Sequence, residues 1–119
     1  MSTSTLVLAI VVFVVLALGW RSVGGSGANS KTVHDKINAG ALVVDVRTPA
    51  EFASGAYPGA TNIPVSEVGK RLAEFGDRKR AIVVYCRSGS RSGQAKAILE
   101  KNGFVDVTNG GGLAGMPAR

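Results

Sequence analysis

The chain has 119 residues, room for one domain, and its 14 Lys and Arg against eight Asp and Glu give a net charge of +6. A single cysteine excludes an internal disulfide, and one Cys with one His argues against a zinc centre, so neither metal nor cofactor is expected. The basic residues are scattered apart from Arg78-Lys79-Arg80, and no aromatic side chains interleave with them as stacking platforms, which argues against a nucleic-acid surface.

The chain opens on an apolar run, Leu6 to Leu18, which Gly19 and Trp20 extend to Arg21. That length is close to the roughly 20 residues a helix needs to cross a bilayer. Residues 1–22 therefore read as an N-terminal transmembrane anchor, entering the membrane from Leu6 to Trp20, or as a signal segment with Ser26-Gly27-Ala28 before the cut. Met1 to Thr5 holds no basic residue, which favours the retained anchor. Basic residues follow the span and none precede it, which favours a cytoplasmic domain by the charge rule. Residues 23–31 are rich in Gly and Ser and read as a flexible linker, leaving 32–119 as the folded domain.

Within that domain, Ser30 or Thr32 is expected to cap a short helix through Ile37, stopped by Gly40. Ala41 to Val46 reads as a strand buried on both faces, and Pro49 opens a helical turn through Ser54. Ala60 to Ile63 is a short strand stopped by Pro64. Ser66 then caps a helix to about Phe75, with Val68, Leu72 and Phe75 on one face. Ala81 to Tyr85 is a fully apolar strand, and Ser92 to Asn102 a helix with Ala95, Ile98 and Leu99 inward. Phe104 to Val107 gives a last strand, followed by a glycine-rich end, Asn109 to Gly112. The alternation predicts an α/β fold, a mostly parallel sheet flanked by helices and preceded by the one N-terminal transmembrane helix. Ligands of such sheets sit beyond the carboxyl ends of the strands, where Cys86 and Arg47 fall.

Cys86 is followed by Arg87-Ser88-Gly89-Ser90-Arg91 and then a helix start. Such a loop can turn successive N–H groups inward as an anion nest, while the helix end and both arginines add positive potential. These effects favour thiolate over thiol at Cys86. The bland alternative is a small buried hydrophobe at a strand end. A Cys–His hydrolase would need a nearby base, but the only histidine, His34, lies on the first helix, on a face expected to be exposed. Cysteine phosphatases place five residues between Cys and Arg, whereas four separate Cys86 from Arg91. The shorter loop suits a persulfide better than a tetrahedral phosphate.

Four motifs in order resemble those of rhodanese domains: Val44-Asp45-Val46-Arg47-Thr48-Pro49-Ala50-Glu51-Phe52, then Gly59 to Pro64, then Val84 to Ser92, then Gly103-Phe104 through Asn109-Gly110-Gly111. The resemblance covers about Thr32 to Leu113. Within the family the chain is similar to the phage-shock-type thiosulfate sulfurtransferases of the bacterial envelope, which implies a periplasmic domain where the charge rule implies a cytoplasmic one. The resemblance implies Cys86 as the catalytic nucleophile that takes up sulfane sulfur. Arg87 and Arg91 would bind thiosulfate, and the loop from Arg87 through Ser88, Gly89, Ser90 and Arg91 to Ser92 would cradle the persulfide. Asp45 and Arg47 would brace the site. A thiol or cyanide would act as acceptor, and another membrane protein could be a partner. Two departures stand out: Ala56-Tyr57 replaces a frequent His, expected to alter the site rim, and the C-terminal helix is nearly absent, leaving one flank thinly covered. A non-enzymatic carrier or binding module is the alternative reading, with a phosphatase or arsenate reductase behind it.

Overall fold

The computed structural model describes residues 27–119. The anchor or signal segment expected at 1–22 lies outside the described residues, and among those described no helix is long and apolar enough to cross a membrane. The domain begins with helix α1, Ser30–Asn38, capped by the Asn29 side chain on the Thr32 N–H at 2.9 Å. Asn29 to Lys31, expected in the flexible linker, therefore belong to the folded unit. At the other end the Ala41 and Gly40 N–H groups return to the carbonyls of Lys36 and Ile37, a Schellman closure.

Strand β1 is Leu42–Asp45, helix α2 Pro49–Ala53 and strand β2 Thr61–Asn62; after two 3-10 segments come β3, Ile82–Cys86, helix α3, Ser90–Lys101, and β4, Val107–Gly112. All pairings are parallel and the order is β2-β1-β3-β4. Successive strand residues go to opposite faces, as the two-residue period requires. Val44, Ile82, Val84 and Cys86 join Ala95 and Leu99 of α3 with Val68, Phe75 and Phe104. Val43, Val83 and Tyr85 join Val33 and Ile37 of α1 with Tyr57. Both faces are buried, which explains strands that read as continuous apolar runs.

Three of the expected elements are corrected. The helix expected from Ser66 to Phe75 is two 3-10 segments, Val65–Lys70 and Leu72–Phe75, without a side-chain cap. Pro64 precedes them, Val65 N–H is tied to the Val46 carbonyl, and i→i+3 bonds follow in series, so no α-helical turn can establish itself. Val68 and Phe75 are nevertheless buried as their spacing implied. Helix α3 starts at Ser90 rather than Ser92, because its cap is Gly89 in the left-handed region at φ 96°.

The last strand, expected over Phe104 to Val107, is β4 at Val107–Gly112. Phe104 instead closes α3: its N–H reaches the Leu99 carbonyl and Gly103 that of Glu100, while its ring packs in the core. At the flank expected to be thin, Leu113 and Met116 pack against the second cluster. Tyr57 is core rather than rim; its ring meets Tyr85 edge-on at 6.2 Å.

On the outer edge of β4 the incoming chain lies alongside the sheet. Ala28 N–H bonds the Asn109 carbonyl at 2.7 Å, and Gly27 is so close that a Cβ there would stand 2.7 Å from the Gly111 nitrogen.

Candidate active site

Strand β3, the second from the β4 edge, carries Cys86 to its carboxyl end, and four residues later the chain is helical. The turn depends on Gly89, whose left-handed backbone aims its N–H at the Cys86 sulfur, 2.9 Å away. The Ser92 hydroxyl lies 3.4 Å from the same atom. Burial pushes the thiol pKa up, but the Ser92 hydroxyl and the N–H groups of Ser92, Ser88 and Gly89 outweigh it, so Cys86 sits below the ordinary thiol value. None of Cys86 is exposed to solvent. A thiolate held by fixed donors, in contact with a helix N-terminus, needs no histidine. His34 is exposed on α1, as expected.

Of the remaining loop residues, Arg87, Ser88 and Ser90 are exposed, Gly89 and Ser92 buried. Arg91 does not stand free. Its two terminal nitrogens hold the Glu51 carboxylate at 2.6 and 3.0 Å. Glu51 is itself fixed, because Thr48 caps α2 in a reciprocal capping box with it. The Arg91 guanidinium, then Thr48, lower the Glu51 pKa to about 2. Arg91 thereby ties α3 to α2.

Asp45 and Arg47 brace the site from the end of β1. The buried Asp45 carboxylate takes the Arg47 backbone N–H at 2.8 Å, its guanidinium at 2.6 Å and the Tyr85 hydroxyl at 2.8 Å. Tyr85 accepts from the Tyr57 N–H, and Arg47 also reaches the Gly55 carbonyl. Burial first, opposed by the Tyr57 N–H and assisted by Asp45, pushes the Tyr85 hydroxyl up to about 12. An open cleft of about 470 Å³ beside the loop is lined by Arg47, Glu51, Ser54, Arg87, Leu113 and Ala114. Arg87 is the exposed cation of that lining; Arg47 is held by Asp45, and the Glu51 carboxylate lies on the same wall.

Sequence reasoning assigned no role to Glu51 or Asn109. The first carried a readable signal, the Thr48-x-x-Glu51 capping pattern. Asn109 carried none that pointed to the site, since the partners that bring it there, Gly89 and Ser92, lie 20 and 17 positions away. It reaches them because β4 bulges: Val84 pairs with Asn109 but Cys86 with Gly112, one extra residue on β4. Gly112 passes so near the Arg87 carbonyl that no side chain fits between them. Among the described residues no cluster of His, Cys, Asp and Glu could hold a metal.

A parallel α/β sheet that ends a central strand in a cysteine, with the sulfur held by backbone N–H groups and an adjoining helix start, defines a protein that favours a thiolate at that strand end. The chain belongs to the rhodanese-like domain family, whose model matches residues 29–114. It is similar to the thiosulfate sulfurtransferase PspE of Escherichia coli strain K12, 44% identical over 71 residues, 59% of this chain and 68% of that protein. A sulfurtransferase of Allochromatium vinosum is 46% identical over 68 residues, 57% of this chain and 63% of that one. Among solved structures, a rhodanese with anions from E. coli is 42% identical with a TM-score of 0.60, covering 64% of this chain and 93% of the other.

Proposed function

We propose that Cys86 moves sulfane sulfur from thiosulfate or a persulfide to cyanide or a thiol, through a persulfide on its own sulfur. The chain is a thiosulfate sulfurtransferase of the rhodanese class, and its relatives support the same reaction for this site. The observation that carries the reading is the cradle: the Gly89 N–H at 2.9 Å from the sulfur, beside a cleft lined by Arg47 and Arg87. In the first half-reaction the Cys86 thiolate attacks the outer sulfur of thiosulfate. The S–S bond breaks and sulfite leaves with the electron pair. In the second, the acceptor attacks the outer sulfur of the persulfide and Cys86 departs as thiolate. Donor and acceptor alternate on one site, which gives ping-pong kinetics.

Intact mass after thiosulfate treatment tests the reading: the protein should gain about 32 Da, one sulfur atom, and Cys86→Ala should neither gain it nor turn over. Turnover by the alanine variant would sink the proposal. A sulfur carrier shares the first half-reaction, so a persulfide that cyanide and small thiols leave in place would replace enzyme by carrier.

Membrane attachment belongs to the same proposal and rests on the apolar stretch from Leu6 to Trp20. If the stretch is an anchor, the full chain should stay with membranes through alkaline washing while a chain beginning at Gly27 is released. Protease added to spheroplasts should then remove a C-terminal epitope only if the domain faces outward.

A further inference from the structure

The Ser92 hydroxyl has one hydrogen and three neighbouring acceptors: Asn109 Oδ1 at 2.7 Å, the Gly89 carbonyl at 3.1 Å and Cys86 Sγ at 3.4 Å. The Gly89 carbonyl already receives the Gly93 N–H at 3.0 Å and Asn109 Nδ2 at 3.1 Å, which occupy its two lone pairs. The amide orientation of Asn109 follows from its partners, because Oδ1 accepts the Gly111 N–H at 2.9 Å while Nδ2 donates to Gly89. One lone pair of Oδ1 stays open to Ser92. The hydroxyl hydrogen therefore has two destinations, Asn109 and the sulfur.

We propose that Asn109 is a positioning residue that parks the Ser92 hydrogen while Cys86 carries no charge on Sγ, and releases it to the sulfur when the thiolate forms. With Ser92 donating to Asn109, its oxygen faces the thiol and can accept the S–H. Ionisation of Cys86 removes that hydrogen and creates a strong acceptor, and a rotation about one C–O bond turns Ser92 toward the sulfur. Asn109 Oδ1 keeps the Gly111 N–H throughout and is never left bare. In the sulfur-transfer reading on which this inference rests, the same rotation serves the second half-reaction. As the acceptor bonds the outer sulfur and the S–S bond breaks, the electron pair collects on Sγ, and Ser92 turns to meet it.

The other charged and titratable groups near the sulfur are Arg87 on the loop, the Arg91–Glu51 pair across α3 and α2, and Asp45 with Arg47 and Tyr85 at the ends of β1 and β3. Strand β4 contributes none, so changes at Ser92 and Asn109 leave the fixed charges in place.

The experiment is a pH titration of the thiolate by its ultraviolet absorbance, with the Cys86→Ala protein as blank. This readout needs no sulfur transfer, so it stands or falls separately from the catalytic reading. Ser92→Ala should raise the Cys86 pKa by about 1, the usual worth of a hydrogen bond to an anion, and Ser92→Thr should restore it. Asn109→Ala removes the competing acceptor and should lower the pKa, and that fall should vanish in the Ser92→Ala background. If Asn109 only clamped the loop, its loss would raise the pKa as Ser92→Ala does; a rise or no change overturns the proposal, as does a Ser92→Ala protein with the wild-type value. Asn109→Leu, similar in volume and without an acceptor, takes the same place if the alanine protein does not fold.

Discussion

Arg91 meets Glu51 through both ends of its guanidinium, at 2.6 and 3.0 Å, and so joins the first turn of α3 to the first turn of α2. Arg91 is therefore a structural tie between the two helices. Arg87, exposed on the cleft, carries no such partner among the described residues.

The tie sets an acid limit. Glu51 has its pKa lowered to about 2 by Arg91 and Thr48, from 4.5 in the free group. A depressed carboxylate stabilises the folded state fully above the unfolded pKa and loses that contribution as pH falls toward the folded one. Glu51→Gln should therefore melt below the wild type at pH 7, and the gap should narrow between pH 4.5 and 2. Thermal melts across that range check it; a gap of constant size would mean that Glu51 does not titrate with folding.

Asp45 is the only carboxylate partner of the buried Arg47 guanidinium among the described residues, and it also receives the Tyr85 hydroxyl. Asp45→Ala leaves a buried cation and an orphaned hydroxyl, a loss of about 3–5 kcal/mol. Against a total of roughly 5–15 kcal/mol for a domain this should bring the chain near unfolding at room temperature. Urea denaturation of the variant measures it.

Gly112 touches the Arg87 carbonyl and Ser88 Cα, backbone against backbone. Gly112→Ala must displace the loop rather than a flexible side chain. Misplacement on the scale of 1 Å should lower turnover by about 100-fold. The circular dichroism spectrum should be preserved, since the contact lies outside both hydrophobic clusters.

Arg87 is exposed on the cleft and pairs with no carboxylate among the described residues. Arg87→Ala should raise KM for thiosulfate about tenfold, the scale of one charge-assisted contact, while leaving kcat less affected. The salt dependence of kcat/KM should weaken in parallel. Steady-state kinetics at two ionic strengths decide between this and an arginine that only shapes the loop.

The strands, the helix after the cysteine and the position of Cys86 were legible because each rests on a local signal. Ala41 to Val46 and Ala81 to Tyr85 are apolar without interruption, and only burial on both faces demands that. Legibility failed where partners distant in sequence decide. Thr108-Asn109-Gly110-Gly111-Gly112 has little strand propensity and becomes β4 by pairing with β3 and lying against the Arg87 loop. Phe104 looked like a strand residue because it is aromatic and follows a glycine; it is the hydrophobic closure of α3. The Arg91–Glu51 pair is a further case, since the two residues lie 40 positions apart and no local pattern joins them.

The chain entering the domain lies on the free side of β4, with Ala28 bonded to Asn109 and Gly27 stacked on Gly111. A glycine-rich strand at the margin of a sheet offers little steric hindrance to a strand from another molecule. Here that berth is taken by the protein's own backbone. The residues just ahead of α1 thus cover an edge open to self-association, and a chain cut back to begin at Asn29, which keeps the cap of α1, should form concentration-dependent oligomers more readily than one beginning at Gly27.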